Sequence, residues 1–278
     1  MTTATTPRVS ASEAQALVDA IPHWHHRIEV VPGVFSRGAY DPRPMLDQMG
    51  LPERLDGLRV LDIGANDGFF SFELERRGAQ VVAVDHSPPS DGFRLVHRLR
   101  GSNVEHRGDN VYDLTPARHG MFDIVLLLGV IYHLRHPLLA IDVVSTLCRD
   151  LLLVETHGID DAFIARDGSW HALEDPALRL MQFYPNNELA GDWTNWWGQS
   201  LAGLESMIET ALFRIEHGVI WSPGRALVRA RVALDRESEF YRGEDRFESG
   251  AGYFPPGIAP RPVPNWGWEK PFGGSAPE

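Results

Sequence analysis

Lysine and cysteine are almost absent from this chain of 278 residues. Lysine occurs only at Lys270, and the other basic residues are arginines. The one cysteine, Cys148, excludes an intrachain disulfide and a zinc site built from several thiolates. Because Cys148 lies in an apolar pattern typical of a helix, we expect it to be a small buried side chain.

The sequence also lacks a long hydrophobic run and a targeting segment. Its longest apolar stretch, Ile124 to Leu128 with Gly129 to Tyr132 following, is about half of the roughly 18 residues that a membrane-spanning helix needs. The start of the chain has neither the basic part nor the apolar part of a secretory signal. We therefore expect a cytoplasmic protein with no membrane partner.

Positive charge is scarce relative to negative charge. The chain has 38 acidic and 26 basic residues, which gives a formal net charge of −12. Because an acidic surface repels the phosphate backbone, nucleic acid is the less favoured class of partner. The hydrophobic fraction of 43% is typical of a globular core, which excludes disorder throughout, collagen and coiled coil.

From Arg59 onward, predicted strands alternate with helical stretches. The predicted strands are RVLDIG, QVVAVD, VEHRGD, FDIVLLLG and LLLVET, followed later by RIEHGVIW and RALVRARVAL. Mostly continuous apolar strands that alternate with helices predict a parallel sheet covered on both faces. The sequence therefore predicts a doubly wound α/β domain.

Composition divides the chain into three parts. Residues 1–56 form an N-terminal extension with a helix capped by Ser10 and an irregular cover segment at residues 22–44. Residues 57–234 form the α/β domain, interrupted by an insertion at residues 158–199 that we expect to act as a lid. Residues 235–278 are a Gly/Pro-rich tail that we expect to be irregular.

The turn after the first strand of the domain is typical of a nucleotide-binding loop. Gly64 and Gly68, in VLDIGANDG, allow a tight turn and a close approach of the backbone to a ligand. Asp85 ends the next strand 21 residues after Gly64, the spacing at which a carboxylate accepts both hydroxyls of a ribose. Asn66 and Phe69 stand where a nicotinamide dinucleotide fingerprint has glycine, which disfavours that cofactor.

These motifs resemble a known family. VLDIGANDG, VVAVD, GDNVYD and FDIVLLLGVIYHL resemble the successive motifs of the Rossmann-like (class I) methyltransferases that use S-adenosylmethionine (SAM), and the resemblance implies a mostly parallel sheet of seven strands. It also implies roles for individual residues. The residues expected to line the methionine and ribose of SAM are Asp62, Gly64, Asn66 and Gly68, with Asp85 on the ribose diol, Asn110 and Val111 beside the adenine, and Gly129 facing the sulfonium. Tyr132 is a further expected cofactor-binding residue.

A narrower resemblance concerns the form of the cofactor. GVIYHLRHPLLAI, LLLVET and PGRALVRA resemble the subgroup typified by the tRNA wobble-uridine carboxymethyltransferases, which use carboxy-SAM, and its relatives. In that subgroup a lysine, a tyrosine and an arginine bind the extra carboxylate. Tyr132 and Arg225 match two of them, but His26 stands at the position of the lysine. A neutral histidine is a poorer partner for a buried anion, so we expect ordinary SAM, with S-adenosylhomocysteine (SAH) as product.

The candidate catalytic residues lie at strand ends, where polar groups point into an active-site mouth. They are Tyr132 and His133 after the fourth strand, and Glu155 and His157 at the end of the fifth. Any of His133, Glu155 or His157 is a candidate general base for a substrate hydroxyl. His136 follows His133 at helical spacing, which makes a metal pair conceivable, and the sequence leaves any metal requirement open.

The insertion is rich in aromatic residues, which makes it a candidate substrate site. The candidate substrate-binding residues are Trp170, Tyr184, Trp193, Trp196 and Trp197 in the insertion, with His26 and Arg225 outside it. Aromatic faces beside amides and carboxylates suit a sugar or a stacked base, while an aromatic minicore is the structural alternative. Because Arg166 and Arg179 are the only basic residues of the insertion, a neutral polyol is favoured over RNA.

Three functional hypotheses follow. The first is SAM-dependent O-methylation of a hydroxyl on a sugar, glycan or other small molecule. The second, carried by the resemblance, is modification of a tRNA wobble uridine with SAM or carboxy-SAM. The third is a protein that binds SAM without catalysis. The sequence does not indicate an oligomeric state.

Overall fold

A single sheet of seven strands is the centre of the computed structural model, which describes residues 9–233. In chain order the helices and strands are α1 (Ala11–Asp19), β1 (Glu29–Val31), β2 (Val34–Phe35), α2 (Arg43–Gln48), β3 (Arg59–Ile63), α3 (Phe69–Arg76), β4 (Gln80–Asp85), α4 (Asp91–Arg100), β5 (Glu105–Gly108), α5 (Pro116–His119), β6 (Phe122–Leu128), α6 (Pro137–Leu147), β7 (Cys148–His157), β8 (Phe163–Ile164), β9 (Trp170–His171), β10 (Met181–Phe183), β11 (Trp197–Gln199), α7 (Leu201–Thr210), β12 (Phe213–Ser222) and β13 (Arg225–Val232). Short 3-10 turns lie at Val111–Asp113 and Ile131–His133.

The strand order of the sheet is β12-β13-β7-β6-β3-β4-β5. The five strands from β7 to β5 are parallel, whereas β13 pairs antiparallel with both β7 and β12. Strands β3 and β6 lie side by side in the middle, and their side chains are almost all buried. This confirms the predicted doubly wound, mostly parallel sheet, because strands buried on both faces must be apolar throughout.

The flanking helices begin and end where the sequence provides capping residues. Helix α4 starts at Ser90, whose hydroxyl accepts a hydrogen bond from the amide of Phe93, and ends at Gly101 in the left-handed conformation. Helix α6 has Pro137 in its first turn, where a missing amide proton costs nothing. The buried face of α4 presents Phe93 to Phe72 of α3, with ring centroids 4.9 Å apart. These contacts fix the helices against the sheet.

The N-terminal extension packs on the domain through the core. Ser10 forms a capping box with Glu13 at the start of α1, as the sequence predicts. The cover segment, residues 22–44, contains the hairpin of β1 and β2 rather than being irregular throughout. Its Trp24 is buried, and the indole donates a hydrogen bond to the carbonyl of Val18. The extension therefore shares the hydrophobic core.

The insertion is made of two small hairpins. Strand β8 pairs with β9, and β10 pairs with β11. A bridge between Gly158 and Gln199 joins the two ends of the insertion. The amide of Trp196 donates a 2.8 Å hydrogen bond to the carbonyl of Tyr132, so the insertion is attached to the 3-10 turn after β6.

Cys148 is buried, as predicted, but it begins β7 instead of ending α6, because the helix stops at Leu147. The Gly/Pro-rich tail predicted at residues 235–278 lies outside the described residues. Within residues 9–233, every helix is too short or too polar to cross a membrane.

Candidate functional site

A cavity of about 570 Å³ opens at the carboxyl ends of the parallel strands. Its walls come from the ends of β3, β4, β6 and β7, from the cover segment and from the start of β13. In open α/β sheets this edge is where ligands bind. A larger groove of about 780 Å³ lies between the cover segment and helices α2, α3 and α4. Charges of both signs line it, and Arg76 pairs there with Glu73.

The turn after β3 brings the backbone close to the cavity. Gly64 has a φ of +78°, and a Cβ there would lie 2.4 Å from Val130. Asn66 also has a positive φ, and its amide donates a 3.1 Å hydrogen bond to Asp85 Oδ2. The other oxygen of Asp85 accepts from the amide of Ser87 at 3.1 Å. Two backbone donors therefore fix this carboxylate at the cavity wall. Nδ1 of the largely exposed His86 ring lies 3.2 Å from Oδ1, and Oδ2 keeps capacity for another donor.

The opposite end of this wall is formed by the loop after β5. Asn110 and Val111 both line the cavity, and Asn110 Oδ1 accepts from the amide of Tyr112.

Gly129, which follows β6, has a φ of +69°, and a Cβ there would lie 3.7 to 4.0 Å from Tyr132, Arg225 and Glu155. The predicted cofactor residues Gly64, Asn66, Asp85, Asn110, Val111, Gly129 and Tyr132 all line this one cavity.

Asp62 and Gly68 do not reach the cavity lining. Asp62 is buried below the turn, where its carboxylate accepts a 2.5 Å hydrogen bond from Ser71. Burial raises the pKa of Asp62 to about 6. Gly68 caps the start of α3 with a φ of +83°, against the rings of Phe72 and Phe93. Both residues support the turn from the side away from the cavity, and neither of them lines the cavity.

Glu155 and Arg225 form an ion pair in the floor of the cavity. Arg225 Nε and Nη2 each donate a 2.5 Å hydrogen bond to Glu155, and the Trp221 indole donates a third at 3.3 Å. Burial raises the pKa of Glu155, although Arg225 stabilises its carboxylate. The Arg225 guanidinium also lies over the Tyr132 ring, 5.2 Å from its centroid. Because both oxygens of Glu155 are engaged, it is poorly placed to accept a substrate proton.

His133 faces the same cavity from the 3-10 turn after β6. Its Nδ1 lies 3.1 Å from the carbonyl oxygen and 3.0 Å from the hydroxyl of Thr194, which belongs to the insertion. Burial lowers the pKa of His133 below its ordinary value. The imidazole is therefore neutral near pH 7, which is the state that a general base requires.

His157, in contrast, lies away from the cavity lining. Its Nδ1 is 3.0 Å from the carbonyl of Gly224 and its Nε2 is 3.2 Å from the Tyr184 hydroxyl. Burial lowers the pKa of His157 to about 4. Leu128, the last residue of β6, pairs with Glu155, so His157 lies two residues beyond the level of the cavity. The structure therefore does not support His157 as the base.

The aromatic residues of the insertion do not line the cavity either. Tyr184 is buried against His157, whereas Trp170 and Trp193 have 59% and 63% of their surface exposed. Trp196 stacks on Phe183 and lies under Arg135, whose guanidinium is 4.2 Å from the Trp196 ring. Trp197 packs against Phe183. Phe183 and the two tryptophans thus pack on one another as in the minicore alternative, although Phe183 keeps 44% of its surface exposed. The insertion contributes Thr194 to the cavity instead.

The cover segment supplies a wall that the sequence indicated only in part. The amides of His25 and His26 donate hydrogen bonds of 2.7 and 3.1 Å to Asp67, which also accepts from Ser90 at 2.8 Å. His26, a predicted substrate residue, lines the cavity, and its buried Nδ1 has no hydrogen-bond partner in the structure. Burial lowers the pKa of His26 to about 3.

Several residues of the site escaped the sequence analysis. Tyr40 and Met45 line the cavity from the cover segment and α2, and Asp67 and Thr194 position other lining residues. Asp67 had a signal, since it lies inside the motif VLDIGANDG. Within the described part of the chain, no group of three or more His, Cys, Asp or Glu side chains could hold a metal ion, and His136 instead contacts the ring of Tyr112.

Comparisons with known proteins agree with this geometry. A family model described as a methyltransferase domain matches residues 24–196. The ubiquinone biosynthesis O-methyltransferase of Xanthomonas campestris pv. campestris (strain B100) is 34% identical over 105 residues, which are 37% of this chain and 44% of that protein. The chain thus aligns with less than half of the length of this curated relative.

Two solved structures share the fold over most of the chain. The N-terminal domain of EvdMO1 in the presence of SAH and D-fucose has a TM-score of 0.57 and 20% identity, and covers 83% of this chain and 99% of its own. The same domain with SAH bound has a TM-score of 0.55 at the same identity and coverage. At this identity the likeness concerns the fold.

Proposed function

This chain belongs to the methyltransferase-domain family, with the fold of the class I SAM-dependent enzymes, and from that premise we propose that it methylates a hydroxyl of a sugar, glycan or other small molecule. SAM is the methyl donor and SAH the product. The observation that carries the proposal is one cavity that contains both a fixed ribose-type carboxylate, Asp85, and a neutral histidine, His133. The curated relative, itself named an O-methyltransferase, supports oxygen as the acceptor atom.

The residues of the cavity fit SAM. Asp85 has room on Oδ2 for a ribose hydroxyl, while the exposed His86 ring borders Oδ1, and Asn110 with Val111 would lie beside the adenine. Gly64 and Gly129 present backbone without a Cβ to the methionine part. SAM supplies an electrophilic methyl group on a sulfonium, and the chain's task is to align an acceptor oxygen with it.

Ordinary SAM is favoured over carboxy-SAM. The two donors of Arg225 that point at Glu155 are both used, so the guanidinium is already neutralised. A second carboxylate here would lie beside Glu155, where a buried like charge is costly. His26 adds no positive charge, because its low pKa keeps it neutral.

His133 is the proposed base. The acceptor hydroxyl would donate to Nε2 while its oxygen attacks the methyl carbon. As the new O–C bond forms and the S–C bond breaks, the hydroxyl proton moves to His133 Nε2, which gives an imidazolium, a methyl ether and SAH. The cover segment closes the cavity on the other side and limits access of water.

A small-molecule acceptor suits both the charge and the neighbours of the site. Acidic residues outnumber basic ones in the insertion that borders His133, which disfavours a polyanion. The EvdMO1 domain was solved in the presence of SAH and D-fucose, which supports a sugar as the class of acceptor.

The test is to follow methyl-labelled SAM in a size-fractionated cell extract, with and without ribonuclease. We expect the label in a nuclease-resistant carbohydrate or small-molecule fraction, and His133→Ala should reduce that transfer while SAM affinity, measured by calorimetry, stays within about twofold. Nuclease-sensitive label would instead indicate tRNA modification. Binding of SAM without transfer to any fraction would indicate a non-catalytic SAM-binding protein.

A further inference from the structure

We propose that Thr194 and Asp192, both in the insertion, are positioning residues that hold His133 as the tautomer with its proton on Nδ1 and its free lone pair on Nε2. The inference deepens the proposed function and rests on it for its catalytic meaning. The tautomer itself is a property of the folded chain that can be measured without any substrate.

The direction of the hydrogen bonds requires this tautomer. The Thr194 hydroxyl donates a 2.7 Å hydrogen bond to Asp192 Oδ1, so toward His133 its oxygen can only accept. The Thr194 carbonyl oxygen, 3.1 Å from Nδ1, is also only an acceptor. Two acceptors facing one ring nitrogen both require the proton to be on that nitrogen.

Hydrogen bonds hold the Asp192 carboxylate in position to accept from the Thr194 hydroxyl. Its Oδ1 accepts from the Thr194 amide at 2.8 Å as well as from the hydroxyl. The side chain is exposed, and the loop is fixed next to the 3-10 turn by the bond from Trp196 to the Tyr132 carbonyl. Asp192 and Thr194 are therefore placed to orient His133 as a third group orients the base beside a nucleophile.

The groups around the His133 ring shift its pKa in both directions. Asp192 and the Thr194 carbonyl raise the pKa of His133, while burial lowers it more, and Arg225 from β13 and His86 after β4 lower it as well. His25 of the cover segment faces His133 too. Removing the charge of Asp192 thus lowers the pKa of His133 and makes it a weaker base.

The test uses protein labelled with nitrogen-15 in histidine, with the His133 signals assigned by comparison with His133→Gln. Long-range nitrogen–proton NMR spectra should show His133 of the unaltered chain protonated on Nδ1. In Thr194→Val and Asp192→Ala the signals should move toward a mixture of tautomers. In Asp192→Asn, which removes the charge but keeps an oxygen that accepts from the Thr194 hydroxyl, the titration midpoint of His133 should fall. The control is Asp167→Asn, because Asp167 holds Ser169 through the same pair of bonds on the same insertion but outside the cavity lining.

Turnover adds a second readout. We expect kcat to fall about tenfold or more in Asp192→Asn with KM for SAM unchanged, and the acidic limb of the pH–rate profile to move to lower pH. A proton on Nε2 in the unaltered chain, or variant spectra that superimpose on it, would overturn the proposal. If the tautomer is as expected but His133→Ala transfers methyl at full rate, the positioning stands and the assignment of His133 as base fails. The two failures are therefore distinguishable.

Discussion

Asp85 is the residue on which cofactor affinity should depend most directly. Its two oxygens are oriented by the amides of Asn66 and Ser87, so the carboxylate needs no reorganisation to meet a ribose diol. Each charge-assisted hydrogen bond of this kind contributes roughly 1.5 to 3 kcal/mol. Preorganisation by backbone donors makes the side chain a strong recognition group.

Asp85→Ala should therefore abolish calorimetrically detectable SAM binding while the melting temperature of the protein without ligand changes little. The matched control is Asp91→Ala, which removes an exposed carboxylate from the start of α4 outside the cavity lining. Unchanged affinity in Asp85→Ala would contradict the placement of the ribose.

His157 is a residue whose effect should appear in stability rather than in catalysis. Its pKa is about 4 in the folded protein and 6.5 in the unfolded chain, because burial disfavours the charged ring. Between these values the unfolded chain binds a proton that the folded protein does not. The free energy of unfolding should fall as the pH decreases from 6.5 to about 4, by up to about 1.4 kcal/mol per pH unit from this group.

His157→Gln should flatten this dependence in urea titrations across the same pH window. His26, which acts in the same direction, and Asp62, which acts in the opposite one, remain in both proteins, so the difference isolates His157. Equal slopes in the His157→Gln variant and the unaltered chain would show that the ring is already protonated when folded.

At the scale of elements, the turn between β3 and α3 is the most constrained part of the site. Gly64→Ala introduces strain twice, because φ is +78° and the new methyl group would lie 2.4 Å from Val130. We expect a loss of about 1 to 3 kcal/mol in stability and a weaker affinity for SAM. The measurement is thermal melting of the four proteins in a double-mutant cycle that combines Gly64→Ala with Val130→Ala.

In that cycle the double variant should recover part of the stability, since Val130→Ala removes the contact but not the backbone strain. Full additivity of the two changes would mean that Val130 does not limit the space at Gly64, and a neutral Gly64→Ala would contradict the strained geometry of the turn.

The order of strands and helices, but not their register, could be predicted from the sequence. The alternation of strands and helices was enough to predict that Gly64, Asp85 and Glu155 meet at one edge of the sheet, because parallel strands end there together. It could not show that Glu155 is level with the end of β6 while His157 extends beyond it, since that depends on the register between β6 and β7. Nor could it show that the aromatic side chains of the insertion pack on one another or face solvent, because no periodicity governs such short hairpins.

At the scale of the whole molecule, Asp67 connects the N-terminal extension to the α/β domain. One carboxylate holds two consecutive amides of the cover segment and the cap of α4. Asp67→Asn should speed hydrogen exchange at the amides of His25 and His26 by about tenfold or more, because a charge-assisted bond is weakened. Mass spectrometry of exchanged peptides measures this directly.

SAM affinity should fall in the same variant, since His25, His26 and Tyr40 form one wall of the cavity. Asp91→Asn, on the neighbouring helix start, should change neither quantity. Unaltered exchange at His25 and His26 in Asp67→Asn would show that packing of Trp24 alone holds the cover segment in place.

The cavity draws its walls from nearly the full described length of the chain, from His25 to Arg225. A chain emerging from the ribosome therefore has the glycine turn and Asp85 long before it has the strand that carries Arg225. Glu155 lacks its partner Arg225 until that strand pairs with β7. We therefore expect the cavity to be completed late in synthesis, and fragments that stop before β13 should bind the ligand poorly even where their parallel strands have already formed.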